Sequence, residues 1–523
     1  MKRLPAFALA VLIAASASLA QEAKKPDAKE IAKLIADLKG GDAQKKRHAA
    51  IALGGHGEAA AKAVPALGDA LKDTDEKVRW AAALALGSLG ETAKPAVAKL
   101  TAALKDKHER VVHACAVALG NIGTGAKSAI PALIEVLGGN LHADTRQAAA
   151  TALGDMGPSA KAAIAPLTKV LGEDNAGLRE AAAMALGQIG PSAREAVPAL
   201  AKLLADANIL VRDAAATALK SMGPDAKTAV PELTKALADA DAGVRQSVIL
   251  ALRAIGPDAA SATAKLAELL KNEKQAELRV DALRALASIG PAAKDAADAV
   301  TKALSDDDMT VRAAAAKAII VVSPKSDAAA PALVKLLDDK DPMVRIDAAV
   351  ALAETPKGIE RAVPALIKEL THADAEVRQA AAEALGDLDE DAAPAAPALM
   401  KLVKEDKTAA VRAAAADALG GLGTVKDVVP CLAAALKDKE AEVRQAAAAS
   451  LGEIGPPAKA AVKALIDVLT DADHEVRANA AEALGLIGPE AKEALAALKM
   501  LADDKDEQVR DAAAEAVKKL EGK

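Results

Sequence analysis

The chain has 523 residues, with 67 basic and 73 acidic side chains for a net charge of −6, and 52% of it is hydrophobic, yet it holds one Trp, one Phe and no Tyr. A single large globular core draws much of its buried area from aromatic rings, so this composition excludes one. Ala, the strongest helix former, dominates instead, which predicts closely packed helices throughout.

Residues 1–20 stand apart. Lys2 and Arg3 give a basic start, Ala6 to Ala15 form a short apolar run, and Ser18-Leu19-Ala20 offers a cleavage site. This pattern predicts a secretory signal peptide. The run is shorter than the ~20 apolar residues of a membrane span, so no transmembrane segment is expected after cleavage, and no Cys follows that could carry a lipid. Loss of Lys2 and Arg3 leaves 65 basic against 73 acidic residues, a net charge of −8. The mature protein, from Gln21, is therefore expected outside the cytoplasm, periplasmic or secreted. Its negative charge argues against nucleic-acid binding, which rests on neutralising phosphates. Residues 21–40 read as a linker and a capping helix, about Ala28 to Leu38.

From 41 to 508 one phrase recurs. Residues 75–90 read DEKVRWAAALALGSLG, residues 373–388 read ADAEVRQAAAEALGDL, and residues 473–488 read DHEVRANAAEALGLIG. The Arg of each copy fixes the period: Arg47, Arg79, Arg146, Arg179, Arg212, Arg245, Arg279, Arg312, Arg345, Arg378, Arg412, Arg444, Arg477 and Arg510, with Val112 at this position in repeat 3. The period is about 33 residues and there are about fifteen copies, the signature of stacked supersecondary units.

Each unit reads as two helices. In repeat 5, Asn175 can cap the first helix, as Asp75, Asp241, Asp341, Asp374 and Asp473 can elsewhere. Leu178, Ala182 and Leu186 form one apolar stripe. Gly187 is expected to end that helix in a left-handed turn, Gly190-Pro191 to make the connection, and Val197, Leu200 and Leu204 to point inward from the second helix. Pro198 either starts or kinks that helix. A last helix, within 509–523, closes the array. In repeats 9 and 10, Ile319-Ile320-Val321-Val322 and Ala353-Glu354-Thr355 replace the Ala-Leu-Gly turn, which predicts altered local curvature. Cys115 and Cys431 lie far apart in the array, too far for a disulfide, and read as small buried apolar residues.

The phrase D-x-x-V-R-x-x-A-A-x-A-L-G-x-I-G, followed by A-V-P-A-L-x-x-L-L-x-D, resembles HEAT repeats of the short, phycobilisome-lyase-like type. The resemblance covers about Ala28 to Leu520. It implies an all-α fold, an α-solenoid coiled as a right-handed superhelix, whose second helices line the concave face and meet partners there. It also implies a ladder in which the repeated Arg pairs with the inter-repeat Asp, as Arg212 with Asp206 and Arg477 with Asp471.

The chemistry of catalysis is mostly missing. Some HEAT-repeat proteins are similar to deoxyhypusine hydroxylase, whose paired His-Glu motifs bind di-iron. Here His108-Glu109 and His474-Glu475 fall in distant inter-repeat turns, while His48 and His113 are followed by Ala49 and Ala114. Ligands of one metal must sit within a few ångströms of it, so no metal or other cofactor is expected. A phycobilin-lyase activity does not suit an exported chain, and no zinc or phosphate-loop motif is present.

One column rises above this background. Two residues after the Leu that opens L-x-x-x-L in each second helix stand Lys169, Lys202, Lys235, Glu268, Lys302, Lys335, Lys368 and Lys401, preceded by Asp69 and Glu135 and followed by Ala434 and Asp467. Lys suits a helix C-terminus, and duplication copies surface residues. The seven lysines are also candidates for binding an acidic partner. The expected function is a non-catalytic scaffold for a protein or peptide partner, of acidic character if the lysines carry it. A structural part of an envelope assembly and a HEAT-repeat enzyme are the alternatives.

Overall fold

The computed structural model describes residues 28–324, 329–355 and 357–522. The expected leader and the start of the linker lie outside them. The described residues form α-helices and 3-10 helices with no strand among them, and the chain divides into two compact units, 1–262 and 263–523. Each unit is a tandem stack of two-helix repeats, an α-solenoid. A lone helix, Ala28–Gly40, precedes the first repeat, and another, Glu507–Glu521, follows the last second helix.

Many first helices start where a side-chain acceptor sits. In repeat 5 the helix runs Ala176–Ile189, and Asn175 accepts from the Leu178 N–H. Asp75, Asp241, Asp341, Asp374 and Asp473 cap their own helices in the same way. Loss of such a cap costs about 1 kcal/mol. Leu178, Ala182 and Leu186 are buried as one stripe, and Val197, Leu200 and Leu204 bury against it from the second helix.

Gly187 does not end its helix as expected. It lies inside the helix, and the left-handed turn falls at Gly190, with φ +76°. Gly187 is small because a Cβ there would stand 2.8 Å from the Ala218 Cα of the next first helix. Gly54, Gly154 and Gly485 face Ala85, Ala185 and Ala516 in the same way. The repeated Ala-Leu-Gly thus brings successive first helices into near backbone contact, which close packing of the interior rewards.

Pro198 starts the second helix. Residues Gly190–Ala196 form a 3-10 helix, and Pro198 stands in the first turn of Val197–Leu203, where its fixed φ and missing N–H cost little. Pro364 differs, lying inside Ile359–Glu369. Repeats 9 and 10 depart from the pattern at their turns. The helix Met309–Val322 ends at Ser323, with φ −139°. After Pro342–Ala353, Lys357 takes φ +62°.

The Arg ladder is present, but its register differs from the expectation. Asp206 and Asp471 pair with Arg179 and Arg444, whereas Arg212 and Arg477 pair with Asp239 and Asp504. In most rungs, such as those of Arg79, Arg179, Arg212, Arg312 and Arg444, the guanidinium reaches forward to the carboxylate of the next inter-repeat turn through Nε and Nη2. Its Nη1 reaches back to carbonyls of the turn before. Arg212 donates in this way to Asp239, at 2.7 and 3.0 Å, and to the Asp206 carbonyl, at 2.8 Å. Arg146 instead uses Nη1 and Nη2 for Glu173 and gives Nε to the Leu137 carbonyl. One side chain therefore staples two successive turns with the fork geometry that suits Arg. In repeat 1 the equivalent residue is Lys46 and not Arg47. Lys46 Nζ reaches Asp73 at 2.8 Å, and its N–H bonds the Asp42 carbonyl as that of Arg79 bonds Asp75.

Candidate partner-binding face

All seven lysines of the column are exposed on second helices. In the first unit Lys169, Lys202 and Lys235 stand on Ile164–Val170, Val197–Leu203 and Val230–Ala236. In the second unit Lys302, Lys335, Lys368 and Lys401 stand on Ala297–Ala303, Ala330–Leu336, Ile359–Glu369 and Ala396–Glu405. The flanking Leu side chains fix the phase: Leu167 and Leu233 are fully buried, so the residue two positions on faces outward. Six of the seven occupy a last turn, where the helix dipole favours a cation. Lys401 does not, since Lys404 holds that place.

The surroundings of the column decide what it can do. At three of the column's four acidic positions the charge is met locally: Lys99 reaches Asp69 at 2.6 Å, Lys105 reaches Glu135 at 3.3 Å and Lys265 reaches Glu268 at 2.7 Å. None of the seven lysines donates a side-chain hydrogen bond or forms an ion pair with another described residue. Lys169 acts on Glu173 only through its field. Neighbours in the column are spaced as the helices are, roughly 8–10 Å apart, and each unit presents its own row of unneutralised ammonium groups.

The second unit also holds an acidic groove that the sequence reading passed over. Glu383, Asp387, Asp389, Asp417 and Glu453 line it. Asp417 reaches solvent, yet the groove walls desolvate its carboxyl and Glu453 and Glu383 add like charge, which together push it up to about 6. The signal was available in the sequence. Five residues past the repeated Arg, the first helices of this unit carry Glu383, Asp417, Glu482 and Glu515.

Two histidines, His108 and His142, stand at repeat edges. His108 pairs with Glu76, and the His142 N–H donates to Glu109. Among the described residues no three His, Cys, Asp or Glu side chains converge as a metal site. Cys115 and Cys431 are free and buried in different units, and burial pushes the Cys115 thiol up to about 12, leaving it an inert core residue.

A family model of HEAT repeats matches in overlapping stretches from residue 31 to residue 518. The match is to HEAT repeats as a class and does not extend to the narrower lyase-like type. No curated protein sequence matches the chain. Among solved structures, importin beta superposes with a TM-score of 0.63 at 13% identity, over 94% of this chain and 79% of that one. The karyopherin Kap121p bound to the SUMO protease Ulp1p gives 0.58 at 16% identity, over 97% and 60%. The Kap95:Nup1 complex gives 0.54 at 15% identity, over 94% and 84%. At these identities the likeness is one of fold.

Proposed function

We propose that this protein, which belongs to the HEAT-repeat family, is a non-catalytic extracytoplasmic scaffold that holds an acidic protein or peptide partner along its second-helix lysines. The observation that carries the reading is the contrast within one column. Three of its four acidic members, Asp69, Glu135 and Glu268, are paired with lysines, whereas its seven lysines form no ion pair with a described residue. One exposed lysine contributes little. A row of them sums its field and can steer and hold an extended acidic ligand in a salt-dependent way. Solenoids of the same fold support the scaffold reading, since Kap121p and Kap95 are seen with protein partners. The basic start and short apolar run of residues 1–20 support export.

The test begins with native protein from the extracytoplasmic fraction, whose N-terminal sequence should start at Gln21. A partner captured from that fraction should be acidic. The quadruple variant Lys202→Gln, Lys235→Gln, Lys302→Gln, Lys335→Gln should keep its helical circular dichroism, because it alters no packed position. It should bind that partner at least about tenfold more weakly at low salt and with a flatter salt dependence. Equal affinity for parent and variant at low salt would return the lysines to plain surface.

A further inference from the structure

A second interaction surface lies on the first helices of repeats 1–3, and it does not depend on the lysine column. Lys77, Trp80 and Leu84 follow one another at i, i+3 and i+7, so they share one helix face. The next repeat sets Arg110, His113 and Val117 at the same positions, and the previous one sets Gln44, Arg47 and Ile51. Ile51, Leu84 and Val117 are exposed at 50%, 37% and 36%, one per repeat, in a row across three adjacent helices. Gly54 against Ala85 and Gly87 against Ala118 keep those helices nearly touching, so the row steps by roughly 8–10 Å.

Cations outnumber carboxylates around Trp80, where Lys77, Lys107 and Arg110 stand against Glu76 and Glu109. Arg47, Lys77 and Arg110 form no ion pair with a described residue. The nearby carboxylates are already engaged, Glu76 with His108 and Glu109 with the His142 N–H. The Arg110 guanidinium stacks over the Trp80 ring, 4.0 Å from its centroid, a cation–π contact that holds both groups in place. The patch stops at repeat 4, where the same three positions read Asp144, Gln147 and Thr151. Trp and Arg beside exposed aliphatic side chains are the groups that most often dominate binding energy at an interface.

We infer that this patch docks an acidic amphipathic helix of a partner protein. Apolar residues seven apart on such a helix rise about 10.5 Å, which matches the step from Ile51 to Leu84 to Val117. Carboxylates beside them would meet Arg47, Lys77 and Arg110. Trp80 is the chain's single Trp, so its fluorescence reports occupancy directly.

The probe is a synthetic peptide of about 18 residues, long enough to cross three helices, with Leu on one heptad face and Glu on the others. A scrambled peptide of the same composition is the control. Added to the full chain, the amphipathic peptide should give a saturable blue shift of Trp80 emission, and the scrambled one should not. Leu84→Asp and Val117→Asp, each with unchanged circular dichroism, should weaken binding at least about tenfold. Lys202→Gln with Lys235→Gln should leave it unchanged, which separates this surface from the lysine column. Calorimetry on the same samples covers binding that is silent in fluorescence. No saturable binding by either method, equal binding of the scrambled peptide, or indifference to both Asp variants overturns the inference.

Discussion

The junction between repeats 5 and 6 and the junction between repeats 3 and 4 solve the same problem in opposite ways. At the former, Arg179 gives two hydrogen bonds of 2.8 Å to Asp206, two more to the carbonyls of Glu173 and Asp174, and the Asn208 N–H completes the Asp206 carboxylate. Both side chains are largely buried, at 15% and 9% exposure. At the latter, the Arg position is Val112, which is buried, and the place of the Asp is taken by Gly139. The two members of the rung are absent together. A lone guanidinium or carboxylate in such a turn would be a buried, unpaired charge, which costs far more than the intact pair contributes. The rung is therefore a unit, kept whole or dropped whole. The helix starts beside the missing rung are also weaker, because His108 and His142 hold the N-cap places without a side-chain cap bond.

The largest effect should come from breaking a rung in half. Asp206→Ala strands the Arg179 guanidinium and the Asn208 N–H, and should cost about 3 kcal/mol. Because a solenoid senses damage mainly through neighbouring repeats, hydrogen exchange should quicken most in repeats 5 and 6. A cost under about 1 kcal/mol in urea unfolding would mean that the rung behaves as an ordinary surface pair.

Building a rung where none exists should have a smaller effect. Val112→Arg alone should destabilise by about 2 kcal/mol, through overpacking and an unmet charge. Adding Gly139→Asp should recover 1–3 kcal/mol of coupling in a double-mutant cycle. Strict additivity of the two would show that the turn between repeats 3 and 4 cannot close on a rung.

Much of this architecture was legible in the sequence, because a repeat prints the same instruction many times. The Asn175 and Asp75 caps and the Leu178–Ala182–Leu186 stripe each follow from local rules that need no knowledge of the neighbour. What the sequence concealed was contact between repeats. Gly187 looked like a helix end, since a glycine after Ala-Leu has that meaning within one helix, and its true reason is Ala218 of the next. Arg212 looked like the partner of the nearby Asp206, while its side chain reaches the Asp one repeat later. Arg47 looked equivalent to Arg79 because both are Arg, and the backbone bond to Asp42 assigns that place to Lys46. The lysine column could be read by counting from a Leu. That its charges are left unmatched could be seen only once Asp69, Glu135 and Glu268 were found with partners.

The smallest effect sets two carboxylates against each other by sign. Burial alone would raise Asp206, but the Arg179 fork and the Asn208 N–H outweigh it and hold the group below its ordinary value. Stability from a depressed carboxyl is complete above the unfolded value, near pH 4, and is lost as pH falls through the lower folded value. Asp417 is raised instead, by desolvation first and then by Glu453 and Glu383, to about 6. Its folded form holds the proton more tightly than the unfolded chain does, so stability falls as pH climbs from about 4 to about 6 and stays lower beyond. Asp417→Asn removes that slope. Parent and variant should differ least near pH 4, and the variant should gain above about pH 6, by less than about 1 kcal/mol because the side chain is open to water. Thermal melts at about pH 4 and pH 7.5 decide it. A gap of the same size at both pH values would assign the change to packing, and the acidic groove would then store no electrostatic strain for a ligand to relieve.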